Sequence, residues 1–219
     1  MNSRHKIVAI IRTKGQAPYL EQVISRARDA GLSVFLLDNN PEPIWFDLNK
    51  KNVDYLHDPQ SYIPMCTEMF KEVCSGKDND SCIATMYNKA FDQSRYPGYW
   101  LLKLDDDDLW MPQSFERLKV AIASTEKTSI IYFSGVNLLN KQNISAGVTF
   151  CGGRDHFCIG PNVSPKFING EQWELAVFKG VSHTMFLGLT YAHLKFFGES
   201  TGYAKDIQDS SQKYFYVEE

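Results

Sequence analysis

Short apolar runs alternate with helical patterns along the first half of the chain. KIVAII at residues 6–11 is rich in β-branched residues, which is typical of a buried parallel strand. Residues 20–27 then place apolar side chains at helical spacing, with Pro18 near the start and Gly31 at the end. The run SVFLL at residues 33–37 follows as a second strand. This stretch therefore predicts a strand–helix–strand unit with a right-handed connection.

The same alternation continues for about a hundred residues. Further strands are predicted at residues 52–56, 99–104 and 129–133, with helices over residues 83–91 and from Pro112 onward. Strands that alternate with helices in this way build a parallel sheet with helices on its faces. We therefore expect an α/β, Rossmann-like fold with a mostly parallel central sheet.

The second half is less regular. Residues 134–180 are rich in Gly, Asn and Ser and hold several short candidate strands. TMFLGL at residues 184–189 predicts a strand, YAHLKFFG at residues 191–198 a helix, and the polar tail from Ser200 has a pattern that allows a last helix. An amphipathic piece at residues 65–73 is hard to assign. No linker or repeat interrupts the chain, so we expect one domain over residues 1–219.

Composition narrows the classes of function. The 219 residues are 43% hydrophobic, enough for a core without disulfide bonds, and the net charge of −3 gives no reason to expect nucleic acid as the main partner. No apolar window is long enough for a transmembrane segment, and MNSRHKIVAII lacks the cleavage site of a signal peptide. The five cysteines form no CxxC pair, so a structural zinc site is not expected. Their odd number in a mid-sized chain favours reduced thiols and a cytoplasmic location, with peripheral membrane attachment left open.

Four consecutive aspartates, Asp105 to Asp108, follow the apolar run LLKL and precede Leu-Trp. They repel one another, and Lys103 is the one basic residue within three positions. Polar pairs also follow the first two predicted strands, Arg12-Thr13 and Asp38-Asn39. Because ligands of an open parallel sheet bind beyond the carboxyl ends of its strands, these groups outline one crevice.

Extended geometry would put Asp105 and Asp107 on the same side of the chain, where they could share one divalent ion. Mg²⁺ and Mn²⁺ prefer oxygen ligands and keep coordination places for phosphate oxygens. The alternative is a solvated acidic turn, with Asp108 near the start of the next helix. The apolar flanks favour a metal site, because they place the carboxylates at the mouth of a core strand.

Several segments together resemble the GT-A glycosyltransferases of the family 2 type, which use nucleotide-diphosphate sugars. The segments follow the family's order over most of the chain: VAIIRTKGQAPYLEQVI, VFLLDNN, NKAFDQSRYPGYWLLKLDDDDLWMP with the DxD motif, SHTMFLGLTYAHLKFFG and GYAKDIQDS. The resemblance implies a GT-A-like fold. Residues 1–112 would form the nucleotide-sugar-binding half, and residues 113–219 a more irregular acceptor-binding half.

The resemblance also implies a role for individual residues. The nucleotide would be bound by Arg12, Thr13, Asp38, Asn39 and Asp105. Mn²⁺ or Mg²⁺ would be bound by Asp107 and Asp105, with His183 as a further candidate ligand. Asp206 would be the catalytic base, with Glu199 and Asp209 in reserve.

The implied reaction moves a sugar from a nucleoside-diphosphate sugar, UDP favoured, to a hydroxyl of a saccharide, lipid or protein acceptor, with inversion. The family's pair of acids is incomplete, because Lys205 stands where a Glu is expected before Asp206. A catalytically inactive nucleotide-binding protein therefore stays open. A phosphohydrolase of the haloacid dehalogenase type also uses a DxD motif, but near the start of its chain, and is disfavoured.

Overall fold

The fold is known from a computed structural model that describes residues 5–13, 19–44, 53–59, 83–138, 143–149, 156–169, 174–194 and 214–216. In these ranges the helices are α1 (Leu20–Asp29), α2 (Ile83–Ala90) and α3 (Pro112–Ala123), with a 3₁₀ turn at Gln93–Arg95. The strands are β1 (Ile7–Thr13), β2 (Ser33–Asp38), β3 (Val53–His57), β4 (Trp100–Asp105), β5 (Asp108–Trp110), β6 (Ser129–Leu138), β7 (Asn143–Thr149), β8 (Phe157–Ile159), β9 (Ser164–Asn169), β10 (Glu174–Lys179), β11 (His183–His193) and β12 (Tyr214–Tyr216).

Ten of these strands form one mixed sheet in the order β12-β7-β6-β8-β4-β1-β2-β3, with β11 paired to both β6 and β5. The segment β4-β1-β2-β3 is parallel throughout. Strand β8 runs antiparallel between β4 and β6, and β7 and β5 also run against the main direction. The remaining seven strands share one direction. The predicted α/β architecture with a mostly parallel sheet is thereby confirmed.

Helices and a small β-ribbon cover the two faces of the sheet. Alternation along β1 sends Ala9 and Ile11 to the face with α1 and α3, and Val8 and Ile10 to the face with α2 and the β9–β10 ribbon. All four are fully buried. Burying one such aliphatic side chain stabilises the fold by about 1.5–3 kcal/mol, so both faces of β1 contribute to the core.

Local signals set the ends of two helices as expected. Gly31 follows α1 with a positive φ of 78°, a conformation that glycine adopts without the steric cost of a Cβ atom. Pro112 is the first residue of α3, where its missing N–H costs no hydrogen bond. Pro18 and the amphipathic piece at residues 65–73 lie outside the described residues.

One expectation for the second half is wrong in the ranges that the structure describes. Tyr191 to His193 belong to β11 and not to a helix, because they pair with β6 on one side and with β5 on the other. Here, hydrogen bonds to distant strands override a local pattern. In the polar tail, residues 214–216 form β12 against β7, and the rest of the tail from Ser200, whose pattern allows a last helix, lies outside the described residues. Within the described ranges, no helix is both long and apolar enough to cross a bilayer.

Candidate metal centre

The site lies at the carboxyl edge of the parallel strands. Strand β1 lies between β2 and β4 in the sheet. The chain continues from β1 to β2 and β3 on one side and later returns as β4 on the other side. Thr13 is in register with Asp38, and Arg12 with Asp105. A reversal of strand order creates a crevice at this edge, which is where ligands of open α/β sheets bind. The sheet therefore brings the three predicted groups of polar residues to one edge.

The run of aspartates folds as a tight connection between two strands. Asp105 ends β4, residues 106–107 form a turn, and Asp108 begins β5. The extended geometry assumed for Asp105 and Asp107 therefore stops at Asp105. Asp108 belongs to a strand and does not cap α3, whose N-cap position is Met111, without a side-chain hydrogen bond.

Asp105, Asp108 and His156 form the first group that could hold a metal ion, and we call it the inner group. The Nε2 atom of His156 lies 3.4 Å from Asp105 Oδ2 and 3.1 Å from Asp108 Oδ2. His156 directly precedes β8, the antiparallel strand beside β4. Two carboxylates and one imidazole are a donor set that suits a divalent ion of the first transition row, although they do not identify the ion.

Asp107, Asp108 and His193 form a second such group, which we call the outer group. His193 Nε2 lies 3.2 Å from Asp107 Oδ2. Two features place this histidine: His193 pairs with Asp108 across β11 and β5, and the N–H of Leu194 donates to the Asp107 carbonyl at 2.9 Å. The antiparallel pairing of β5 thus brings a distant histidine to the turn.

A buried lysine compensates part of the negative charge. Lys103 Nζ lies 3.2 Å from Asp105 Oδ1 and 3.8 Å from Glu174 Oε1, at 1% exposure, and 4.9 Å from the centre of the Tyr87 ring. The Tyr87 hydroxyl donates to the same Asp105 oxygen at 2.9 Å. Burial alone would raise the pKa of Asp105, but the Lys103 ammonium, the His156 ring and the Tyr87 hydroxyl together hold it well below its ordinary value. Asp105 is therefore ionised at neutral pH.

The carboxyl groups of the partly buried Asp106 and the buried Asp108 behave differently. Burial and the neighbouring charge of Asp107 raise the pKa of Asp106 to about 7, although Thr13 Oγ1 donates to it at 2.6 Å. Burial also raises the pKa of Asp108, and the His156 ring opposes that rise. In both cases the fold disfavours a further negative charge where aspartates already stand side by side. A bound cation would reverse that preference.

One oxygen in the cluster supports a ligand at this place. Asp108 is fully buried, and among the described residues its Oδ1 atom has no hydrogen-bond partner. Leaving a buried acceptor unsatisfied costs about 1–3 kcal/mol. The donor set and this oxygen both fit a divalent cation.

Asp38, a predicted nucleotide contact, lies at the end of β2 and accepts hydrogen bonds from nearby residues. Its Oδ1 accepts hydrogen bonds from the backbone and side chain of Asn40, and its Oδ2 from the Ile44 N–H and the Tyr55 hydroxyl. Burial would raise the pKa of Asp38, but these hydrogen bonds outweigh it and lower the pKa. All four acceptor positions of the carboxylate are thus used to fix the turn after β2.

Arg12 and Asn39 lie together beside this turn. Arg12 Nε donates to Asn39 Oδ1 at 3.0 Å, and Asn39 Nδ2 donates to the Asp58 carbonyl at 2.8 Å. Arg12 is half-buried, and its hydrogen bond holds the guanidinium beside Asn39. The positive charge of Arg12 also acts on Asp106, where it opposes the rise in the pKa of that carboxyl group.

His183 is not among the residues that the structure brings to the cluster. It is exposed at the first residue of β11, in register with Ser129, while His193 ends the same strand. At ~3.3 Å per residue the two histidines are roughly 30 Å apart. Asp206, Glu199 and Asp209 lie outside the described residues.

The sequence did not single out His193, and His156 falls in the irregular stretch of residues 134–180 that is rich in Gly, Asn and Ser. His193 carries one usable signal: it ends the run TMFLGLTYAH, so a strand through that run would place it at a strand end. Compared with models of known protein families, the chain matches none, and a search of curated proteins also gives no match. The resemblance to GT-A glycosyltransferases therefore depends on the residues alone.

Proposed function

We propose that the protein is a metal-dependent glycosyltransferase of GT-A-like fold that transfers a sugar from a nucleoside-diphosphate sugar to an acceptor hydroxyl. The observation that carries this proposal is the convergence of Asp107, Asp108 and His193 at the carboxyl edge of the sheet, beside Arg12. A cation held there would neutralise the diphosphate of the donor and of the departing product.

Different residues would bind the ion and the diphosphate. Asp107, whose side chain is 27% exposed, and His193, 12% exposed, would hold the ion with one side open to the donor. Arg12 would add a second positive charge to the diphosphate. Thr13 and Asn39 would orient this edge of the crevice, because they fix Asp106 and Arg12 through hydrogen bonds. Asp38 would act through the turn that it holds and not by direct contact with the base.

The chemical step is a displacement at the anomeric carbon. The acceptor oxygen forms the new bond as the bond to the diphosphate oxygen breaks, and the acceptor proton passes to a carboxylate base. By resemblance that base is Asp206, with Glu199 and Asp209 as alternatives. The adjacent Lys205 would favour the ionised form of Asp206, which suits a base.

A thermal-shift panel tests the proposal. UDP, GDP and their sugar conjugates are added with Mn²⁺ or with EDTA to the wild type, Asp107→Ala and the control Asp29→Ala, which removes an exposed carboxylate at the end of α1. We expect a nucleotide-dependent rise in melting temperature that needs Mn²⁺, persists in Asp29→Ala and disappears in Asp107→Ala. A nucleotide response in EDTA, or none with Mn²⁺, contradicts the proposal.

Release of nucleoside diphosphate from the donor that binds best then separates an enzyme from an inactive binder. Asp206→Asn is expected to keep nucleotide binding and lose turnover, because the amide accepts no proton. Full turnover in Asp206→Asn would overturn the assignment of the base. Wild-type protein that binds donor and Mn²⁺ yet never turns over would be the inactive relative. Phosphate release from simple esters without nucleotide would instead indicate a phosphohydrolase.

A further inference from the structure

We propose that the aspartate cluster binds two divalent cations, an outer one at Asp107 and His193 and an inner one at Asp105 and His156, with Asp108 shared between them. The proposal takes the role of the outer ion from the proposed function. The inner ion is a separate site, and its existence is argued from the geometry of the inner group.

The spacing of the ligand atoms does not fit a single ion. They fall into two groups, each within 4.8 Å, that have only Asp108 in common. Opposite ligands of one octahedral Mg²⁺ or Mn²⁺ stand about 4.2 Å apart, twice the metal–oxygen distance of ~2.1 Å. Asp105 and His156 are not part of the set that contains Asp107 and His193. Five side chains therefore supply two ligand sets.

Asp108 has the properties expected of a shared ligand. One of its oxygens, Oδ2, lies 3.1 Å from His156, while Oδ1 has no hydrogen-bond partner among the described residues although the side chain is fully buried. A bridging carboxylate gives one oxygen to each ion, which would satisfy both atoms. Such bridged ions stand about 3.5–4 Å apart in known two-metal sites.

The two groups differ in the burial of their histidines. His156 of the inner group is 4% exposed and His193 of the outer group 12%, whereas Asp105 and Asp107 are similarly exposed at 28% and 27%. An ion in the outer group would keep places for diphosphate oxygens, and an ion in the inner group would be held against the more deeply buried histidine. An inner ion would also fix the position of Asp108, which the outer group shares.

The local charge agrees with two ions. Of the four carboxylates from Asp105 to Asp108, Asp105 forms an ion pair with the Lys103 ammonium, which Glu174 also shares. Each group offers one imidazole nitrogen, so both positions favour Mn²⁺, Co²⁺ or Zn²⁺ over Mg²⁺. The competing arrangement is a protonated His156 that forms ion pairs with Asp105 and Asp108 without an inner ion.

Metal stoichiometry distinguishes these arrangements. Metal-free protein is brought to equilibrium by dialysis against MnCl₂, and the bound manganese per chain is measured by elemental mass spectrometry. We expect two ions in the wild type, one in His156→Ala, one in His193→Ala and two in His183→Ala, which removes the exposed histidine at the far end of β11. One ion in the wild type, or two in His156→Ala, overturns the proposal.

Electron paramagnetic resonance of the manganese-saturated wild type keeps the test independent of whether the variants fold. Two bridged ions interact magnetically and give a coupled spectrum, whereas isolated Mn²⁺ gives a six-line signal. A spectrum of isolated ions alone at saturation overturns the inner site. If UDP binding still needs Mn²⁺ in that case, the proposed function stands and only the second ion is lost.

Discussion

Lys103→Met removes a cation that the structure buries against Asp105. Its ammonium lies 3.2 Å from Asp105 and 3.8 Å from Glu174 at 1% exposure, so methionine fills the volume but leaves two carboxylates without that partner. Breaking a buried ion pair by removing one partner costs about 3–5 kcal/mol. Because domains of this kind have about 5–15 kcal/mol of stability, the loss is a large share of the total.

Urea unfolding in EDTA at neutral pH measures this loss, with Lys89→Met as the matched control. Lys89 forms an ion pair of 2.9 Å with Asp58, but the two side chains are 40% and 23% exposed. A surface pair of that kind contributes about 0–1 kcal/mol. We expect the midpoint of Lys103→Met to fall far below that of Lys89→Met, with a similar dependence on urea concentration in both.

Added Mn²⁺ extends the same reasoning. A cation bound by Asp105 would replace part of the missing positive charge, so Mn²⁺ should stabilise Lys103→Met more than it stabilises the wild type. Equal losses in Lys103→Met and Lys89→Met would refute the view that a buried cation compensates the aspartates. Stabilisation by Mn²⁺ that is no larger in the variant would refute the view that the metal binds at Asp105.

Three further substitutions test other parts of the structure. Asp38→Ala should lower the free energy of unfolding in urea by about 3–5 kcal/mol, because several hydrogen-bond donors lose a charged acceptor. A loss under 1 kcal/mol would contradict the role of Asp38 in holding the turn. Gly135→Ala should lower the melting temperature, because its Cβ atom would lie 2.2 Å from the Tyr191 ring. Overpacking of this kind costs about 1–3 kcal/mol of stability. An unchanged melting temperature would contradict this contact. Asp106 has a folded pKa of about 7 against 3.8 in the unfolded chain, so the stability it adds is full below 3.8 and is lost as pH rises through 7. Asp106→Asn should therefore gain stability over the wild type at pH 8.5 in EDTA, and this gain should shrink steadily from pH 7 toward pH 5. A constant difference across this range would contradict the raised pKa.

The α/β architecture and the position of the candidate metal site were predictable because they depend on local signals. The apolar runs at β1, β2 and β4 mark buried strands, and polar residues at their ends must meet at one edge of a parallel sheet. That rule was enough to bring together Arg12, Thr13 and the aspartates. It required no knowledge of how the second half of the chain folds.

The ligand sets were not predictable, because they depend on long-range pairing. His193 reaches Asp107 only because β11 pairs with β5, and His156 reaches Asp108 only because β8 inserts between β4 and β6. The spacing of Asp105 and Asp107 was misleading for a local reason: a turn at residues 106–107 ends the alternation. The hydrogen bonds that Asp38 accepts from Asn40 and Ile44 were also not predictable, because no pattern in the sequence shows how the chain turns after β2.

The central claim is that a divalent cation held by the aspartates presents this edge of the sheet to a diphosphate. Calorimetric titration of UDP into metal-free protein, and into the same protein saturated with Mn²⁺, tests it most directly. The account predicts no measurable binding in EDTA and saturable binding of one UDP per chain with Mn²⁺. Equal UDP affinity with and without Mn²⁺ would contradict it.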